Sequence, residues 1–142
     1  MYEQLLDRIR RENQVLKAFV HIAQDSPSSP GAGPLSGIAV AIKDLIDTAD
    51  FPTGYGSPIY AGHRPSVDAA IVTALKDGGA FIAGKTTTTE FATWPPTPTL
   101  NPRNSAYTPG GSSAGSAAAV GASAADAAAE SVLPDPVPVN QS

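Results

Sequence analysis

Apolar residues recur with two different periods along this chain, and the periods predict its secondary structure. Over residues 2–24, apolar side chains return at helical spacing with arginine and glutamate between them, which predicts an amphipathic N-terminal helix. A segment rich in serine, proline and glycine follows at 25–36 and predicts a linker. In the next segment, GIAVAIKD, apolar residues alternate with small ones, which predicts a buried strand that ends at Lys43.

A second helix and a second strand are predicted further along. Residues 66–77 return to helical spacing, with Ser66 at the N-cap and either Gly78 or Gly79 in a left-handed conformation at the helix end. The segment AFIAG at 80–84 is predicted to be a short buried strand. The order strand, helix, strand favours an α/β architecture.

The last third of the chain changes in composition. Residues 85–110 are predicted to be mostly loop, and GGSSAGSAAAV at 110–120 is typical of a Gly/Ser turn that opens an alanine-rich helix. Three prolines in the stretch that starts at Leu133 predict a disordered tail. We therefore predict an N-terminal helix at 1–24, a linker at 25–36, an α/β core at 37–121 and an Ala/Pro-rich tail at 122–142.

Composition excludes several classes of function. The chain has 142 residues, a net charge of −4 and only nine Lys and Arg residues, without the basic stripe that binds nucleic acid. It has no cysteine, and its two histidines, His21 and His63, lie far apart, so neither a metal site nor a disulfide is expected. The charged N-terminus and the lack of a long apolar run predict no secretion signal and no membrane span, hence a cytoplasmic protein.

The segment from Gly79 to Thr86, GAFIAGKT, matches the phosphate-binding pattern G-x-x-x-x-G-K-[ST]. A phosphate-binding loop follows a strand, whereas a predicted helix precedes Gly79 here and an apolar strand occupies the loop positions. We therefore interpret the match as a helix end followed by a strand, and keep nucleotide binding as a third hypothesis.

Two segments carry residues suited to catalysis. A lysine at the end of an apolar strand, as Lys43 is, loses solvation and can act as a neutral general base. Taken alone, however, the segment favours a solvated strand end, because charged residues commonly end strands. The segment from Gly110 to Ser116, GGSSAGS, places hydroxyl groups at a predicted helix N-terminus, where developing negative charge is favoured; a plain linker or N-cap is the alternative.

Taken together, these segments resemble the amidase signature family, in particular bacterial amidases and transamidase A subunits. The resemblance runs from about Leu16 to Val120 through matching segments in fixed order: LKAFVHI, GPLSGIAVAIKD, the run from TADFPTGYGSPIY to GKTTTTEFA, NPRN and TPGGSSAGSAAAV. It implies an α/β fold with a mixed sheet and flanking helices, a small-molecule amide as substrate, hydrolysis of carbon–nitrogen bonds other than peptide bonds, and no cofactor.

The family resemblance also implies site residues. Its Ser–cis-Ser–Lys set assigns the base to Lys43 and the bridging serine to Ser112, preceded by a cis peptide bond. Ser113 and Ser116 are expected to be supporting hydrogen-bonding groups, and Gly110 and Gly111 to shape the loop. The threonines at 86–89 are expected to serve the backbone of a loop.

No nucleophile is identified. In the family, the nucleophilic serine lies in a Gly-rich segment about two dozen residues beyond the bridging serine, which falls at Pro136 here, and no such segment is present. Ser131 resembles it only faintly. We therefore expect an incomplete amidase-signature fold, an N-terminal portion that is inactive alone; the alternative is a non-catalytic remnant or a module that complements a second fragment.

Overall fold

The computed structural model describes residues 2–130. Four strands form one mixed sheet in the order β1-β3-β2-β4, with β1 antiparallel to β3, and β2 parallel to both β3 and β4. The elements are α1 (Tyr2–Leu16), β1 (Phe19–Ile22), β2 (Ala39–Lys43), α2 (Ala70–Asp77), β3 (Phe81–Thr86), α3 (Ala114–Gly121) and β4 (Ala127–Ala129). The predicted α/β class, with a mixed sheet and flanking helices, is confirmed.

Small residues allow the elements around the site to approach closely. Helix α1 buries its apolar face against the sheet, and alanines of β2, β3 and α3 complete this core, among them Ala41, Ala83 and Ala118. At the start of α3, a Cβ atom on Gly115 would collide with the backbone of Ala18 and Thr87. The absence of a side chain at Gly115 therefore brings the first turn of α3 against the ends of β1 and β3.

The N-terminal helix is shorter than the predicted span of 2–24. It ends at Leu16, and Phe19–Ile22 forms β1 instead. Lys17 takes a left-handed conformation with φ of 53°. The side chain of Asn13 then accepts a hydrogen bond from the Phe19 amide (2.7 Å) and donates one to the Phe19 carbonyl (3.0 Å). Pairing of this segment with β3 outweighs its helical hydrophobic spacing, which is why the prediction was wrong there.

We expect the Asn13→Ala variant to unfold at a lower denaturant concentration. It loses both hydrogen bonds to Phe19, and each is worth about 1 kcal/mol, so the free energy of unfolding should fall by about 1–2 kcal/mol. Chemical denaturation followed by circular dichroism measures this loss. Gln14→Ala, at an exposed helix position, is the control; equal midpoints for the two variants would contradict the role of Asn13.

The second helix begins later than predicted. It starts at Ala70, and Ser66 is not its N-cap. Asp68 lies before the helix, where its carboxylate accepts hydrogen bonds from the Ala49 amide (2.7 Å) and from Lys76 Nζ (2.6 Å). These tertiary contacts hold the chain extended before the helix, so the local capping pattern around Ser66 does not determine where the helix begins.

The match to a phosphate-binding loop is explained by a helix end and a strand. Gly79 follows α2 with φ of 89°, as predicted. The lysine and threonine of the pattern, Lys85 and Thr86, lie inside β3 and are fully buried at 0% exposure. No loop is available there to hold a phosphate, so the nucleotide-binding hypothesis is wrong.

The predicted core boundary at residue 121 is too early. Ala127–Ala129 forms β4 and pairs with β2, and the Asp126 side chain accepts a hydrogen bond from the Ala39 amide at 2.9 Å. The predicted tail at 122–142 therefore contains a strand of the sheet; its part from 131 onward, with Ser131 and Pro136, lies outside the described residues. Within 2–130, no helix is both long and apolar enough to cross a bilayer.

Candidate active site

Lys43 and Ser112, 69 positions apart in sequence, meet at the end of β2. Lys43 is the last residue of the strand and is fully buried, with 0% exposure. Its Nζ donates a hydrogen bond of 2.8 Å to Ser112 Oγ. Burial lowers the pKa of Lys43 below its ordinary value, and the negative charge of Glu130 opposes the shift. Burial therefore makes the neutral amine easier to reach than it is for a solvated lysine, and this amine lies beside a hydroxyl with which it can exchange a proton.

The loop that carries Ser112 leads directly into α3. Gly110 has φ of 90°, which favours glycine, and the Gly111–Ser112 peptide bond is cis. The Ser112 carbonyl accepts hydrogen bonds from the Thr89 amide (3.1 Å) and from Thr88 Oγ1 (3.2 Å). The loop is thus attached to the segment that follows β3.

The two neighbouring serines have different surroundings. Ser116 is buried, and its hydroxyl shares a hydrogen bond of 2.8 Å with the hydroxyl of Thr86. Thr86 is the β3 partner of Lys43, so the Ser116 hydroxyl bonds to the residue that lies beside Lys43 in the sheet. Ser113 occupies the N-cap of α3, but its side chain makes no capping hydrogen bond. The structure therefore gives a supporting contact to Ser116 and no capping role to the Ser113 hydroxyl.

A second buried lysine lies one strand away, and the sequence-based prediction did not include it in the site. Lys85 has 0% exposure, and its Nζ donates to Thr53 Oγ1 (2.6 Å) and to the Pro52 carbonyl (3.2 Å). It also lies 3.1 Å from Asp44 Oδ1. A signal for it was available, because FIAGKT repeats the pattern of AVAIK: an apolar strand that carries a lysine at its end. The same lysine also completes the phosphate-binding pattern, which favoured a different interpretation.

Burial acts on both members of this ion pair. It raises the pKa of Asp44 and lowers the pKa of Lys85, and in each case the charge of the partner opposes the shift. The second carboxylate oxygen of Asp44 accepts a hydrogen bond from the Gly54 amide at 3.1 Å. Asp44 follows Lys43 directly, so the pair connects the end of β2 to β3 and to the 52–54 loop.

A cleft of about 530 Å³ opens beside the loop contacts. Its walls include Thr88 and Thr89, which hold Ser112, together with Ser57 and Glu90. The Ser57 hydroxyl donates to Glu90 Oε1 at 2.6 Å. The cleft therefore lies next to the threonines that bond the Ser112 carbonyl, while Ser112 and Lys43 themselves are not among its lining residues.

Tyr55 is predicted to titrate at unusually high pH. Its hydroxyl donates to Asp47 Oδ1 at 2.5 Å, and this hydrogen bond, together with burial and the Asp47 charge, raises the pKa of Tyr55 to about 12. Since the folded pKa lies above the ordinary value of 10.0, the contact stabilises the fold fully below pH 10 and less as the pH rises toward 12. Tyrosinate absorbance should show one late-titrating group that Tyr55→Phe removes. A Tyr107→Phe control should retain it, and loss of the late phase in that control would contradict the assignment.

Comparison with known proteins identifies the family and the fold to which this chain is similar. The chain matches the Amidase family over residues 1–131. It is 38% identical, over 82% of its length, to the A subunit of the chloroplastic/mitochondrial glutamyl-tRNA(Gln) amidotransferase of Zea mays, and covers 25% of that protein. The glutamyl-tRNA(Gln) amidotransferase A subunit of Thermotoga maritima superposes with a TM-score of 0.81 at 35% identity, over 89% of this chain and 29% of that one. The peptide amidase PAM superposes with a TM-score of 0.73 at 29% identity, over 88% and 31%.

The chain thus spans between a quarter and a third of the length of these relatives. The family match continues ten residues past the predicted core boundary at 121, and it includes β4. Since the match covers nearly the whole chain, this protein belongs to the amidase family.

Proposed function

We propose that Lys43 and Ser112 are the base and the bridging hydroxyl of a carbon–nitrogen hydrolase acting on linear amides. The observation that carries the proposal is the 2.8 Å hydrogen bond between a fully buried lysine and the serine of the Gly-Gly-Ser loop. Family membership supports it, and peptide amidase activity is named for one of the similar structures. The substrate class is a small-molecule amide that enters through the neighbouring cleft.

The proposed chemistry moves one proton along a chain of three groups. Neutral Lys43 accepts the proton of the Ser112 hydroxyl, and Ser112 accepts the proton of a nucleophilic serine. That serine attacks the amide carbonyl, the C–N bond breaks, and the amine leaves with the proton returned through Ser112. Water then hydrolyses the resulting ester by the same relay and regenerates the serine.

No residue of this sequence is identified as the nucleophile of this scheme. We therefore propose that this chain supplies the base and the bridging serine, and that the nucleophilic serine comes from polypeptide outside these 142 residues. The relatives from Zea mays and Thermotoga maritima are named as subunits, which makes a partner protein one source to test.

A turnover assay and a chimera test the proposal together. A pure polypeptide of these 142 residues should release no amine from an aryl amide, because it holds no identified nucleophile and no oxyanion-binding segment. In a second protein, called the chimera below, residues 1–130 replace the matching N-terminal part of the peptide amidase. This chimera should hydrolyse amides. Ser112→Ala should abolish that activity, while Ser105→Ala, at an exposed position, should not. A folded but inactive chimera would contradict the proposal.

A further inference from the structure

We propose that Thr88 is a positioning residue that holds the bridging serine in place, an inference that rests on the function proposed above. The relay requires Ser112 Oγ to remain 2.8 Å from Lys43 Nζ while it also faces the nucleophile. Lys43 is fixed by its place in a strand, but Ser112 follows two glycines. Something other than its own loop must therefore hold Ser112.

The Gly-Gly loop provides little restraint itself. Gly111 is exposed, and a Cβ atom built on Gly110 would meet nothing within 4 Å. Glycines also permit more backbone conformations than any other residue. An unrestrained loop of this kind would let the Ser112 hydroxyl move by far more than proton transfer tolerates.

The segment that follows β3 supplies the restraint. The Thr89 amide and the Thr88 hydroxyl both donate to the Ser112 carbonyl, at 3.1 and 3.2 Å, and the Gly115 amide donates to the Thr87 carbonyl at 2.9 Å. Thr88 is the only side chain among these donors, and it is buried at 4% exposure. Its hydroxyl also lies 3.0 Å from the Thr89 carbonyl, so the Thr88 side chain is within hydrogen-bond distance of one carbonyl in the loop and one in the segment that follows β3.

The hydroxyl does this without touching the reacting atoms. Its contacts are backbone carbonyls, and a valine would fill the same volume without the donor. Thr88→Val therefore removes one of the two hydrogen bonds to the Ser112 carbonyl and leaves the bond from the Thr89 amide and the side-chain volume in place, and Thr88→Ser restores the hydroxyl. Thr99→Val is the matched control, since Thr99 is buried at 2% exposure and donates to a backbone carbonyl, that of Lys17, at 2.8 Å.

The first arm uses the 142-residue chain itself. Hydrogen exchange of the Thr89 amide should become about 5-fold faster in Thr88→Val, which corresponds to one lost hydrogen bond. The rates are compared after correction for the intrinsic exchange rate, because that rate depends on the side chain at position 88. Thr88→Ser and Thr99→Val should leave it within two-fold of the wild type. An unchanged rate in Thr88→Val would overturn the restraint.

The second arm uses the chimera. Thr88→Val should lower kcat about 10-fold with KM unchanged, and Thr88→Ser should recover the rate. A purely structural role for Thr88 would instead lower the melting temperature and leave kcat of the folded protein unchanged. An active chimera in which Thr88→Val turns over at the wild-type rate overturns the inference alone. A wild-type chimera that folds without activity contradicts the proposed function, and the exchange arm still reports whether Thr88 holds the loop.

Discussion

Replacement of Lys43 by methionine is expected to lower kcat/KM of the chimera by about 10³-fold, because the relay loses the group that accepts its proton. Methionine has nearly the length of lysine and suits a site with 0% exposure, so the fold should persist. Lys43→Arg is the sharper variant, since a guanidinium keeps the positive charge but does not become neutral in a protein. Both variants should show a loss of this size in the initial rate of hydrolysis of an amide that the intact peptide amidase accepts.

Lys76→Met is the matched control for these variants. Lys76 lies on α2, and its Nζ contacts Asp50 and Asp68 at the surface. Because solvent reaches both of these partly exposed ion pairs, their loss costs little and should leave kcat/KM within two-fold of the wild-type value. Retention of more than a tenth of the wild-type activity by Lys43→Arg would contradict the assignment of Lys43 as the base.

The pH dependence of the chimera follows from the same group. The active form of Lys43 is the neutral amine, so activity should rise with pH through the Lys43 pKa. Since burial lowers that pKa, the midpoint should lie below the ordinary value of 10.5. The unfolded chain binds the lysine proton more tightly than the folded one, so Lys43 also makes the free energy of unfolding increase with pH between its folded and unfolded pKa values.

The Lys85→Met variant is expected to lose about 3–5 kcal/mol of unfolding free energy, the largest stability change that we predict. Its partner Asp44 is 4% exposed and would remain as a buried carboxylate without its cation. Asp44→Asn alone should destabilise the fold for the converse reason, because the Lys85 ammonium is fully buried. Denaturation at neutral pH measures both losses.

The double variant shows whether each single variant is destabilised because it leaves one charge buried without its partner. Asp44→Asn combined with Lys85→Met leaves no buried charge at this pair, so it should recover most of the stability that either single variant loses. Lys76→Met should cost only about 1 kcal/mol or less, since its carboxylate partners are reached by solvent. Strictly additive losses in the double variant would show that Asp44 and Lys85 do not interact, contrary to their 3.1 Å separation.

Local sequence determined the elements that lead to the site. The alternation in GIAVAIKD specifies a strand that ends at Lys43, and the run of glycine and serine before alanines specifies a loop that opens α3, because both depend on side chains close together in sequence. The resemblance to amidases also lies in the order of such segments, and the family match confirms it.

Tertiary structure decided what these segments do together. Pairing with β3 makes Phe19–Ile22 a strand despite its helical spacing, and pairing with β2 gives the alanines of β4 a place in the sheet that their composition does not indicate. The meeting of Lys43 with Ser112, the Asp44–Lys85 pair and the Thr88 contact likewise join residues distant along the chain. Such contacts depend on how strands are ordered in the sheet, and short-range periodicity carries no information about that order.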